Sequence, residues 1–91
     1  MTKTVHKVVL PRQPEFELQL PLNATILSVQ AQNNEPVLWY HWDVAEERHV
    51  KHIIRAATTG GEAPQLIRCN YLGTVQLDGG KFVLHYFMDK R

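Results

Sequence analysis

The segment YLGTVQLDGGKFVLHYF, residues 71–87, sets the tightest limit on what this chain can fold into. Two stretches rich in aromatic and β-branched residues flank Asp78, Gly79 and Gly80, which tolerate the positive φ angles of a tight hairpin turn. The segment therefore predicts an antiparallel hairpin with a half-buried face.

Similar strand signals recur upstream. In residues 5–10, His6, Val8 and Leu10 alternate with Val5, Lys7 and Val9 until Pro11 and Pro14 end the run. Phe16, Leu18 and Leu20 alternate with Glu15, Glu17 and Gln19 and stop at Pro21, the pattern of a strand with one face buried. Residues 25–32 place Leu27, Val29 and Ala31 on one face and Ile26, Ser28 and Gln30 on the other. Asn33 and Asn34, with Pro36 at the head of the next strand, predict a hairpin into VLWYHWDV, residues 37–44. That strand is apolar on both faces, as suits a central position or an outer face that meets a partner. AEER, residues 45–48, reads as a connection because a single helical turn is not stable alone. Residues 48–57 fit a strand or a helix by periodicity, and their β-branched content and hairpin context favour strand. TTGGEAP, residues 58–64, is a loop. QLIRCN, residues 65–70, is read as the start of the strand that continues into YLGTVQL with Gly73 as a bulge. The closing MDKR is expected to fray. The resulting fold class is all-β: a small antiparallel β-sandwich or barrel of six to seven strands in one domain spanning residues 1–91.

Composition narrows function by exclusion. A hydrophobic fraction of 44% with 21% charged residues is that of a folding globular chain, not of a disordered one. A domain this small buries only about 60 to 65% of its unfolded surface, so oligomerisation is a natural source of added stability. Trp39, Tyr40, Trp42, Phe82, Tyr86 and Phe87 supply more large apolar surface than a short sheet readily covers, and a homo-oligomer with Trp39, Tyr40 and Trp42 at its interface is expected. Ten Lys and Arg against nine Asp and Glu leave a net charge of +1, which gives no general attraction to nucleic acid or anionic membrane. One cysteine, Cys69, and the lack of a signal-like apolar segment near the start point to a reducing cytosol. No apolar run approaches the ~20 residues of a spanning helix.

No pattern of residues announces chemistry. His6, His41, His49, His52 and His85 lack zinc-ligand spacing, since His49 and His52 fall on opposite faces of a strand, so no metal and no cofactor is expected. Neither Cys69 nor Ser28 sits in a Gly-flanked elbow, and no catalysis is expected. Arg48, His49, Lys51, His52 and Arg55 form a basic cluster in a pattern that also holds Trp39, Tyr40 and Trp42, the ingredients of a single-strand nucleic-acid surface, with Glu46 and Glu47 blunting its field. Thr58, Thr59, Gly60 and Gly61 offer a turn that can present backbone amides to an anion, with Arg55 or Arg68 nearby. A flexible hairpin tip and a solvated charged face explain the same residues without a ligand.

The chain resembles a family of short uncharacterised proteins of bacteriophages and prophages. The shared pattern is VHKVVL, then PLNATILSVQ, the LW of VLWY, an ER before a β run, and YLGTVQ closing in an H-x-F strand, here HYF. One departure is TTGGEAP, where related chains carry a Gly-Thr-Gly type loop, so no role of that loop transfers. The resemblance implies an accessory protein acting in the host cytoplasm by non-covalent binding, with a host protein machine or antiviral defence complex as its partner and inhibition as its effect. The alternatives are an oligomeric sponge for an anionic nucleotide signal and a single-stranded nucleic-acid-binding module. In each case Arg48, Lys51, Arg55, Arg68 and the loop from Thr58 through Gly61 are the expected binding surface, because loops held by a rigid sheet commonly carry function.

Overall fold

The structure, a computed structural model, describes residues 2–90. Seven strands run through them: β1 (Lys3–Val9), β2 (Glu15–Pro21), β3 (Thr25–Gln32), β4 (Glu35–Asp43), β5 (His49–Thr58), β6 (Cys69–Leu77) and β7 (Phe82–Asp89). All pairings are antiparallel and form two sheets, ordered β1-β4-β3 and β2-β5-β7-β6. The sheets do not close into a barrel. They meet where β3 lies over β6, and the smallest dimension of 16 Å accommodates two layers at ~10 Å spacing and no third. Among the described residues no helix is long and apolar enough to cross a membrane.

Alternation explains most of this arrangement. Leu20 of β2, Ile54 of β5, Leu84 and Tyr86 of β7 and Val75 and Leu77 of β6 point inward and meet Val29 and Leu38 of the other sheet in one buried cluster. Burying such side chains stabilises by about 1.5–3 kcal/mol each before conformational entropy is subtracted. The Tyr86 hydroxyl donates to the Pro11 carbonyl at 3.0 Å, and burial pushes its pKa up to about 12. Residues 49–58 are strand, since every second side chain from Val50 to Ala56 faces the core side. β4 is central, as its two apolar faces require.

Two glycine- and asparagine-built turns lock the sheets together. Asn33 and Asn34 in the β3–β4 turn and Asp78 to Gly80 in the β6–β7 turn all have positive φ. Asn34 Nδ2 donates to Asp78 Oδ1 at 2.6 Å, and the Asp78 backbone N–H returns a bond to Asn34 Oδ1 at 2.7 Å. Arg12 adds bonds to Asp78 Oδ2 at 3.2 Å and to the Asn34 carbonyl at 2.9 Å. Bonds from Asn34 and then Arg12 hold the Asp78 carboxyl below its usual range. The same residues that make the turns thus clasp one sheet to the other.

Several sequence expectations are corrected. Residues 65–68 form a turn rather than the start of β6, because the N–H groups of Arg68 and Cys69 both donate to the Gln65 carbonyl, at 2.9 and 3.1 Å. A bulge between Ile26 and Ser28 brings Ile26 to the same face as Val29 and leaves Leu27 about half exposed. The expected bulge at Gly73 is present. It brings β6 so close to β3 that a Cβ there would lie 2.7 Å from the Val29 carbonyl oxygen. Met88 and Asp89 do not fray but complete β7, while Arg91 lies outside the described residues. Tyr86 and Phe87, expected as surplus surface, are buried.

Candidate functional site

The outward face of the four-stranded sheet gathers the polar chemistry of the molecule. Register alone places Glu15 beside Arg55, Arg55 beside Phe87, and Cys69 beside Asp89, all with side chains on this face. Arg55 grips Asp89 with two bonds, Nε to Oδ1 at 2.7 Å and Nη2 to Oδ2 at 3.0 Å, and reaches Glu15 Oε1 through Nη1 at 2.6 Å. Such paired bonds are the strong form of an arginine–carboxylate contact. They hold the Asp89 carboxyl below its usual range, with a smaller contribution from the Cys69 thiol, which donates to Asp89 Oδ1 at 3.2 Å. Burial, then the neighbouring carboxylate, pushes the Cys69 thiol up. A protonated, buried thiol is a poor nucleophile.

Beside this cluster lies an open cleft of about 650 Å³, bordered by Arg55, Glu62, Gln65, Arg68, Asp89 and Lys90 among others. Its charge is mixed. Three cations, Arg55, Arg68 and Lys90, stand against the carboxylates of Glu15, Glu62 and Asp89, with Glu15 just beyond the rim. At its edge the turn of residues 65–68 thrusts Leu66 and Ile67 into solvent, 64% and 80% exposed, and Tyr71 is 55% exposed. Tyr71 packs edge-on against Phe87 with ring centres 5.7 Å apart, and its hydroxyl bonds Thr74. Thr74 in turn meets His85 Nδ1 at 2.9 Å, while His85 Nε2 meets Thr59 at 2.7 Å. This chain of bonds pins the loop after β5 to the sheet.

The expected binding residues are only partly brought together. Arg55 and Arg68 border the cleft, Thr58 ends β5, and Thr59 is tied to His85. Gly60 holds φ +84° in the turn, and the Gly61 N–H donates to the Thr58 carbonyl at 3.0 Å, so that amide closes the turn instead of facing an anion. Lys51 shares the outward face with Arg55 but lies further along β5, opposite Gln19. Arg48 precedes β5 and pairs with Glu46 at 2.7 Å, roughly 30 Å of strand from the loop. Trp39 faces outward on the three-stranded sheet, whereas Tyr40 and Trp42 face inward with His6, so the three aromatics do not share a surface. No group of three His, Cys, Asp or Glu side chains converges among the described residues.

The sequence does not single out Asp89, Leu66 or Ile67; Glu15, expected on the face opposite Arg55, shares its face, and His85, expected at a sheet face with one ring nitrogen bonded, has both bonded. For Glu15 and Asp89 the missing information was register, since the partners lie 40 and 34 residues away in the chain. Leu66 and Ile67 looked like strand interior because apolar pairs usually are.

Comparison with curated proteins and with solved structures returns no match. A family model described as a domain of unknown function, DUF7352, matches residues 1–91. The chain belongs to the DUF7352 family over that whole span.

Proposed function

We propose that this protein is a phage-encoded accessory protein that works in the host cytoplasm by non-covalent binding, inhibiting a host protein machine or antiviral defence complex through the outward face of its four-stranded sheet. The observation that carries the reading is the Leu66–Ile67 prong, with Arg68 at its base and Tyr71 beside it. Aromatic and arginine residues dominate the energetics of protein interfaces, and an apolar tip on a hydrogen-bonded turn presents a contact already ordered before binding. The phage assignment rests on the sequence resemblance.

The other two classes have weaker support. Three cations facing three carboxylates give little net field for an anionic nucleotide, and Arg55 already spends its guanidinium on Asp89 and Glu15. A nucleic-acid surface needs basic and aromatic groups together, yet Trp39 and Lys51 lie on different sheets.

The test is affinity capture from host lysate with the wild-type chain and with Leu66→Asp/Ile67→Asp and Arg68→Glu variants. The reading expects a specific host protein held by the wild type and lost by the Leu66/Ile67 double variant, with weakening by Arg68→Glu. Retention of the same partner by both variants, or release of a bound nucleotide as the captured species, would count against it.

A further inference from the structure

We infer that β1 is a self-pairing edge, through which two copies of this chain join their three-stranded sheets into one continuous sheet. Among the described residues β1 is the outer strand of its sheet and pairs only with β4. The Leu10 N–H donates to the Pro36 carbonyl and the Val44 N–H to the Thr2 carbonyl, both in line with the β1–β4 register. Hydrogen-bonded pairs alternate along an antiparallel ladder, so Thr4, His6 and Val8 direct their backbone groups to β4. Lys3, Val5, Lys7 and Val9 direct theirs to the open edge.

Lysines on an edge strand ordinarily discourage pairing. Here both fold back over their own sheet. Lys3 Nζ lies 3.7 Å from Asp43 at the end of β4, and Lys7 Nζ bonds Gln32 of β3, on the far side of β4. Val5 and Val9, each 49% exposed, are left to present an apolar flank.

Charge and length of overlap then select the register, since axes at Val5, His6 or Lys7 keep most of Lys3–Val9 paired. An antiparallel pair of β1 strands related by a two-fold axis must match open-edge residues with open-edge residues. Centring the axis on Val5 sets Lys3 against Lys7, and centring it on Lys7 sets that lysine against itself. Centring it on His6 sets Val5 against Lys7 and Lys3 against Val9, so no lysine opposes another. In that register the inward-facing aromatic row of Tyr40 and His6, whose rings lie 6.2 Å apart, continues across the axis into its own copy. The interface is self-complementary, as a two-fold contact requires. The occupant is a second copy of this chain.

Sedimentation and engineered cross-linking test the proposal independently of any host partner. The wild type should sediment at twice the chain mass of 10.5 kDa at micromolar concentration. Val5→Pro removes an N–H that β4 does not use and should give a monomer. Val5→Lys, which places lysine opposite Lys7, should weaken dimerisation about tenfold through two symmetry-related repulsions, while Val5→Glu should preserve the dimer. His6→Cys should form an intermolecular disulfide under mild oxidation, because a non-hydrogen-bonded pair on the axis brings Cα atoms to ~4.5 Å, within disulfide range. Thr4→Cys should not. A monomeric wild type, a Val5→Pro protein that folds and remains dimeric, or cross-linking through Thr4→Cys and not His6→Cys would each overturn the proposal.

Discussion

The two outer edges of this sandwich, β1 and β2, are equal in length, yet they differ in what another strand would meet. On β2 the N–H of Leu22 donates to Arg48 and the carbonyl of Pro14 accepts from Ala56, so Glu15, Glu17, Gln19 and Pro21 turn their backbone to the open side. Two carboxylates and a proline without an N–H stand along that edge, the devices that keep edge strands unpaired. On β1 the open side offers Val5 between, and Val9 beyond, lysines drawn back by Asp43 and Gln32. Edge chemistry separates a closed border from a usable one. Pairing through β1 leaves the outward face of the four-stranded sheet free, so each copy in the dimer keeps its Leu66–Ile67 prong.

Both edges hang on one core, and the largest expected effects come from it. Leu38, behind β1, and Ile54, behind β2, are both fully buried, and Leu38→Ala or Ile54→Ala should each cost about 2–5 kcal/mol. Chemical denaturation followed by fluorescence and circular dichroism should show one cooperative transition in each variant. Two transitions, with one sheet outlasting the other, would show that the edges do not share a core. Next in size is Gly73→Ala, which inserts a Cβ where β6 approaches the Val29 carbonyl oxygen at 2.7 Å. A cost of about 1–3 kcal/mol is expected, read as a melting temperature lower by roughly 5 °C or more.

Opening the closed edge sharpens the contrast further. Glu17→Val together with Pro21→Val removes a charge and restores an N–H, and the variant should assemble beyond the dimer as its concentration rises, which light scattering would register. The smallest effect concerns acid. The Asp89 carboxyl is lowered chiefly by Arg55, so its contribution is present above the unfolded pKa and disappears as pH falls through the lower folded value. Melting temperature of the wild type should therefore fall from about pH 4 downward, and Asp89→Asn should show a shallower decline.

How much of this was legible in the sequence follows from the range of each interaction. Period-two patterning placed Phe16, Leu18, Leu20 and the 71–87 hairpin, and the turn chemistry of Asn33, Asn34, Asp78 and Gly79 fixed their connections, because those signals are local. The Asn34–Asp78 clasp, the grip of Arg55 on Asp89 and the bonds from Thr59 and Thr74 to His85 join residues that only sheet order brings together. A bulge caused one further error: one extra residue at Leu27 reversed the faces before it, and no local signal marks that insertion. Phe87 has no local burial signal because its cover on the outward face comes from Ala57 and Cys69 of neighbouring strands, and Tyr86 because the inner face it joins is closed by the opposite sheet.

Residue-resolved amide exchange, measured at low and high protein concentration, tests the difference between the two edges most directly. At low concentration the N–H groups of Thr4, His6 and Val8 should be protected and those of Val5, Lys7 and Val9 should exchange rapidly. At high concentration Val5, Lys7 and Val9 should become protected while Glu17 and Gln19 on β2 stay fast. Protection that appears on Glu17 and Gln19, with Val5 and Lys7 still exchanging freely, would contradict the account.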